Sequence, residues 1–216
     1  MKHYFQNFLR ALFLSLAVLL SLPMLAEKVE IDGIWYDLDA ETKQATVTSS
    51  TSSVKYSGEV VIPESVEFKR TAHSVTSIGR GAFNCCYYLT SVTIPNSVTS
   101  IGEYAFAECY GLTSVHISDI AAWCNIKFSN SEANPLYYAC LYLNGEEVKD
   151  LVIPNSVTSI GEETFDNCSA LTSVTIPNSV TSIGKRAFRW CTNLTSVSIS
   201  NNVKSIGGGL SRIARV

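Results

Sequence analysis

From Leu89 onward the apolar positions of the chain recur in a fixed order. Leu89, Val92 and Ile94 follow the L-x-x-V-x-I spacing of a strand with one buried face. Ser91 and Thr93 alternate to the outside, where β-branched threonine suits an exposed strand. Pro95 has no N–H to give and ends the ladder, and Asn96-Ser97 turns the chain. Val98 and Ile101 form a second, shorter apolar pair. Gly102 marks a corner, where a side chain would obstruct the backbone or a positive φ is needed. Ala105-Phe106 is expected to return as a helical turn and Cys109 to close the coil, before Leu112 starts the pattern again.

The unit is 23 residues long and opens at Leu89, Leu112, Val148, Leu171 and Leu194, after a degenerate first copy ending in SVTSIGRGAFNCCYY. A fixed period of this length predicts a leucine-rich-repeat solenoid, an α/β-type right-handed coil dominated by β structure. No single coil can bury its own apolar side, so coils stack at about 4.8 Å per step and align like with like. Stacking is expected to put Phe83, Phe106, Phe165 and Phe188 into one spine, and Ile78, Ile101, Ile160, Ile183 and Ile206 into another. Residues 27–59 read as an N-terminal β cap, with strands in IDGIWYDL and KQATVTS and, across its border, GEVVIP. The solenoid then occupies residues 60–216, its first coil widened by the insert EFKRTAH. Its third copy is irregular: residues 112–147 form a 36-residue coil. The last coil runs to Ile206-Gly207 and continues as Gly208-Gly209-Leu210, with no Ala-Phe pair and no polar cap. An uncapped coil exposes strand edges, so end-to-end self-association, a covering partner or a longer polypeptide is expected there.

The first 26 residues are set apart. Lys2 and Arg10 bracket a basic stretch, Ala11 to Leu22 are mostly apolar, and Pro23 precedes a cleavage point after Ala26. The apolar run fits an export signal and is short of the roughly 20 residues a membrane-spanning helix needs. Removing it takes two of the 16 bases and none of the 19 acids, for a net charge of −5. That balance, with no Lys/Arg stripe, argues against nucleic acid and anionic membrane surfaces as partners. Only 16% of residues are charged, which with the abundant Ser and Thr fits a β-rich fold better than disorder or a coiled coil.

The wording L-x-x-V-x-I-P-x-S-V-x-x-I-G-x-x-A-F-x-x-C, over residues 60–207, closely resembles the BspA-type bacterial leucine-rich repeats. The long coil, with SDIAAWCNIKF and NPLYYACLYLNGEEV, also resembles a variant coil of that family. The resemblance implies an exported or cell-surface protein with adhesin-like binding of host matrix proteins or other cells. It implies no catalytic residues and no cofactor.

Candidate chemistry lies where the repeat breaks. Cys86, Cys109, Cys168 and Cys191 share one repeat position and read as buried thiols capping backbone carbonyls. Neither Cys-x-x-Cys nor a Cys/His pair offers zinc spacing, so no metal site is expected. Cys124 and Cys140 are the pair to test for a bridge. His73 and His116 are isolated, and no nucleophile–base arrangement can be assembled around them. In the long coil, Asp119 is placed to cap a short helix and Asn144-Gly145 is a hairpin signal. That coil carries Trp123, Phe128, Tyr137, Tyr138 and Tyr142, which serve either a recognition patch or a small core of their own. Lys185, Arg186, Arg189 and Trp190 form a second candidate contact. The matching positions one coil earlier are Glu162, Glu163, Asp166 and Asn167, which predicts charge pairing between coils. The sequence therefore predicts a non-enzymatic module binding a protein or cell-surface ligand. A structural spacer array, or a piece of a longer surface protein, is the alternative. Glycan recognition by the long coil's aromatics is a third.

Overall fold

The computed structural model describes residues 27–50 and 55–208. The expected export signal at 1–26 and the Gly209-Leu210 continuation lie outside the described residues.

The chain begins with strands β1 (Glu27–Ile31) and β2 (Ile34–Asp39), an antiparallel pair turning at Asp32-Gly33. Both turn residues have positive φ, 49° and 80°, as a two-residue type I′ turn requires. Strand β3 (Gln44–Thr48) adds to β2. Next come β4 (Gly58–Val61), β5 (Ser65–Phe68) and β6 (Thr71–Ile78). The EFKRTAH insert is more ordered than a widening: β5 and β6 form an antiparallel hairpin with Lys69 and Arg70 left-handed at its tip. Strand β6 also runs parallel to β3, joining the N-terminal strands to the first coil.

Each later coil supplies a long strand and a short one: β7 (Leu89–Thr93) with β8 (Ser100–Ile101), then β9 (Ser114–Ile117). The long coil holds helix α1 (Ile120–Cys124), β10 (Lys127–Phe128), two 3-10 turns at Ser131–Ala133 and Pro135–Tyr137, β11 (Cys140–Leu143) and β12 (Glu146–Glu147). The remaining pairs are β13 (Asp150–Val152) with β14 (Ser159–Ile160), β15 (Ser173–Ile176) with β16 (Ser182–Ile183), and β17 (Ser196–Ile199) with β18 (Ser205–Ile206). The result is a β-dominated solenoid of about six turns.

Register stacks like on like. Val60, Val92, Val115 and Leu141 align across β4, β7, β9 and β11, and Leu151, Val174 and Val197 across β13, β15 and β17. Thr90 and Thr172 carbonyls each accept a hydroxyl from the threonine 23 residues on, Thr113 and Thr195. Apolar stacking and a side-chain ladder thus reinforce the same register.

Three expectations need correction. The isoleucine spine is broken at the long coil: Ile101 pairs with Ile78 and Phe128 in one sheet, and Ile160, Ile183 and Ile206 stack in another. The long strands divide there too, where β12 folds back on β11 around Asn144-Gly145 (φ 52° and 88°) and closes the first row. The phenylalanine spine is likewise two stacked pairs, Phe83–Phe106 at 5.0 Å and Phe165–Phe188 at 5.3 Å. The long coil lies between them in sequence, with Trp123 and Leu136 buried, and Tyr56 extends the first pair by packing on Phe83 at 4.9 Å. Third, Ala105-Phe106 is not helical. Tyr104 and Glu108 are left-handed, and successive short turns bond Ala105 N–H to Gly102, Ala107 N–H to Tyr104 and Cys109 N–H to Phe106 carbonyls. The carbonyls of Glu103, Ala105 and Ala107 instead accept N–H groups of the preceding coil, from Gly81, Phe83 and Cys85. A helix would have spent those acceptors internally. Cross-coil bonding is what this segment gains from its two left-handed residues.

Candidate functional site

The left-handed turn positions recur four residues apart: Gly81 and Cys85, Tyr104 and Glu108, Glu163 and Asn167, Arg186 and Trp190. Non-glycine residues seldom adopt this conformation. Here the flanking cross-coil hydrogen bonds hold them in it. They define a turn edge of the solenoid, and most of the charged and aromatic variation of the repeat sits on it.

Along that edge runs a row of tyrosines. Tyr87 and Tyr110 stack at 5.9 Å with planes 10° apart. Tyr110 meets Tyr138 edge-on at 5.6 Å, and Tyr138 meets Tyr137 at 5.0 Å and 72°. Tyr87, Tyr110 and Tyr137 are exposed, Tyr110 at 67%, and Tyr88 beside them at 79%. Two hydroxyls are pinned. Tyr87 donates to Glu108 Oε2 at 3.0 Å, and the Glu108 N–H donates to the Tyr138 hydroxyl at 3.1 Å. The neighbouring Cys85 thiol and the Glu108 carboxylate push the Tyr87 phenol above its ordinary range. Burial does the same for Tyr138.

The sequence marked Tyr137 and Tyr138 but missed Tyr87 and Tyr110. A signal existed: both directly follow the repeat cysteines Cys86 and Cys109, where later coils place Ser169 and Thr192.

The second candidate group adjoins this row. Asn167 donates from Nδ2 to the Tyr137 carbonyl at 2.7 Å, and from its backbone to the Arg189 carbonyl at 2.7 Å. Trp190 is more than half exposed and Lys185 is exposed. Arg189 forks onto the buried Asp166, with Nε 3.0 Å from Oδ1, and Arg186 Nη1 reaches Glu163 Oε1 at 3.2 Å. These are the coil-to-coil charge pairs that the sequence predicts, so both guanidiniums already have partners within the chain.

Other candidates are placed elsewhere. Trp123 is 1% exposed, packs on Phe128 at 5.4 Å and donates its indole N–H to the Thr164 carbonyl at 2.9 Å. It serves the internal core of the long coil, capped by Asp119 as expected. Phe128 pairs with Ile101 in the short-strand register and so takes an isoleucine's place. Asn134, unmarked by the sequence reading, is buried and donates to the Glu163 carbonyl at 2.7 Å. Trp123 and Asn134 thereby supply from side chains cross-coil bonds that backbone gives elsewhere. Tyr142 stacks on His116 at 5.0 Å on the outer face of the long-strand row. The repeat cysteines sit under the turn edge, Cys109 donating to the Phe83 carbonyl at 3.1 Å and Cys191 to that of Phe165 at 3.2 Å. Cys124 and Cys140 are free thiols. Among the described residues no group of three or more His, Cys, Asp or Glu is placed to hold a metal. A cleft of about 600 Å³ beside the first hairpin, lined in part by Glu30, Asp32, Trp35, Tyr56 and Glu59, involves none of the marked residues.

The family model for the BspA type leucine rich repeat region matches in six copies, over residues 60–135 and 136–210. The chain belongs to this family. Among solved structures, this BspA-type chain is similar to a leucine rich cell surface protein of Faecalibacterium prausnitzii A2-165, at 31% identity and a TM-score of 0.57. The match covers 83% of the chain and 44% of that protein, so the BspA-type chain spans less than half of its relative's length. A leucine-rich repeat protein of Bacteroides capillosus matches at 26% identity and a TM-score of 0.40, over 83% of this chain and 96% of that one. No match is found among curated proteins. Within the described residues of this BspA-type chain, no helix is long and apolar enough to cross a membrane.

Proposed function

We propose that the chain is an exported, non-enzymatic binding module that holds a protein or cell-surface partner, adhesin-like, on the turn edge of its solenoid. The observation that carries this reading is the continuous, partly pinned row Tyr87–Tyr110–Tyr138–Tyr137, which Asn167 joins through the Tyr137 and Arg189 carbonyls to the coil bearing exposed Trp190. Exposed tyrosines held in place give large contact area at a low ordering cost, the property that makes tyrosine a frequent anchor of interfaces. Export is supported by the basic-then-apolar pattern of residues 1–26 and by the F. prausnitzii relative's description as a cell surface protein. The test is titration of the purified protein against immobilised matrix proteins, cell-surface proteins and glycans. Saturable binding is expected, weakened about ten-fold or more by Tyr110→Ala, the loss of one interface anchor. A melting curve of the variant checks that it folds.

The spacer reading draws on a different observation. Among the described residues, β17 and β18 have a partner strand on one side only, and Ile199 and Ile206 are 41% and 50% exposed. Absence of saturable binding to the whole panel, together with concentration-dependent association in sedimentation, would favour a stacking or structural role.

A further inference from the structure

The tyrosine row has a charge as well as a shape, and the inference below rests on the binding reading above. Arginines on the turn edge are already matched to carboxylates one coil away. Arg80 lies 3.8 Å from Glu103, Arg186 pairs with Glu163, and Arg189 with Asp166. Glu108 differs. It stands inside the row, exposed, and among the described residues no base pairs with it. Among the described residues its Oε2 receives only neutral donors, the Tyr87 hydroxyl at 3.0 Å and the Cys85 thiol at 3.7 Å. Glu132, in the turn that follows in the next coil, also has no basic partner among the described residues. The row is therefore acidic where it is most aromatic.

Ring geometry narrows the class of partner. A sugar ring stacks on an open aromatic face. Here Tyr87 and Tyr110 turn faces toward each other at 10°, and the next two contacts are crossed at 89° and 72°. Such a ridge presents edges and gaps rather than a level platform. Side chains of a polypeptide can enter those gaps, and a guanidinium or ammonium group there meets both a carboxylate and ring faces.

We propose that the ridge receives an extended cationic protein segment, with an arginine or lysine paired to Glu108 and neighbouring apolar side chains laid along Tyr110 and Tyr137. The net charge of −5 left after the export signal adds a long-range attraction of the same sign.

The experiment measures fluorescence anisotropy of three labelled probes against the full-length protein. They are a dodecapeptide of alternating Arg and Leu, its Glu-Leu counterpart, and a β-linked hexasaccharide. The Arg-Leu probe should bind about ten-fold or more tighter than either other probe, as complementary charge at a desolvated contact allows. Glu108→Gln and Tyr110→Ala should each weaken it about five-fold or more, while Glu59→Gln, an equal charge removed from exposed β4, should not. Circular dichroism melts confirm that each variant folds. Equal loss in Glu108→Gln and Glu59→Gln would reduce the effect to general electrostatics and overturn the proposal, as would preference for the hexasaccharide. If the Arg-Leu probe fails while Tyr110-dependent binding to the immobilised panel persists, the partner chemistry is wrong and the binding reading stands. Panel binding that survives Tyr110→Ala removes the ridge from both.

Discussion

Single residues of the repeat carry separable jobs, and the glycine at the corner shows this most sharply. A Cβ on Gly184 would lie 2.5 Å from Glu162 N and 2.5 Å from the Gly161 carbonyl carbon, and one on Gly102 would lie 2.6 Å from Arg80 N. Of the two reasons the sequence offers for glycine here, close approach of the neighbouring coil is the operative one. Gly161 follows the irregular coil, and its Cβ would meet chiefly the Thr164 hydroxyl at 3.1 Å, a group that can rotate. Gly184→Ala should therefore lower stability by about 1–3 kcal/mol, the cost of overpacking against atoms that cannot move aside. Gly161→Ala should cost less. Urea midpoints of the two variants decide it, and equal losses would mean that the close approach is not what selects glycine. The repeat threonines are similarly legible once stacked: their hydroxyls bond the carbonyl exactly one period back, which a β-propensity argument alone does not foresee.

At the scale of the element, strands and the Asn144-Gly145 hairpin were readable because their signals are local: alternation, proline, paired turn residues. The turn segment was misread as helical because its hydrogen-bond partners lie a whole coil away, outside any short window. The cysteine row spans the two kinds of evidence, since its period is local and its acceptors are not. Burial pushes the thiols of Cys109, Cys124 and Cys191 up to about 12, and Cys168 further. In the unfolded chain these groups ionise near ~8.5. Between those values the unfolded state gives up protons that the folded state keeps, so the thiols favour folding fully below about pH 8.5 and progressively less as pH rises toward 12. Tyr56, also pushed up to about 12 by burial, adds to the loss above its ordinary ~10. The urea midpoint should fall steadily from about pH 8.5 upward, and Cys109→Ala should flatten the fall. A midpoint constant across that range would contradict the buried-thiol account.

Across the whole molecule, the repeat settles the scaffold and says little about where a partner binds. Tyr137, Tyr138 and Trp190 were visible as departures from the pattern, whereas Trp123 and Phe128 depart from it in order to fill the core. Composition cannot separate those cases; only the stacking of coils shows which aromatic faces out. The same stacking makes stability a matter of neighbours. Three equivalent amides report on it: Thr99 bonds the Thr76 carbonyl, Thr181 that of Thr158, and Lys204 that of Thr181, at 2.9, 2.9 and 2.8 Å. The bonds are alike and the surroundings are not, because nearby Ile101 and Ile183 are 0% and 2% exposed while Ile206 is 50% exposed. A coil packed on both sides can open only by disturbing two interfaces, and the coil of β17 and β18 only one among the described residues. Native-state hydrogen exchange should rank Thr99 and Thr181 well above Lys204, by about 100-fold or more if one interface contributes roughly 3 kcal/mol. Equal protection at all three positions would show that the outer face of the last coil is covered in solution, by a second copy or by another part of the polypeptide. Dilution then tells these apart, since protection borrowed from a second copy falls with concentration and protection from the same polypeptide does not.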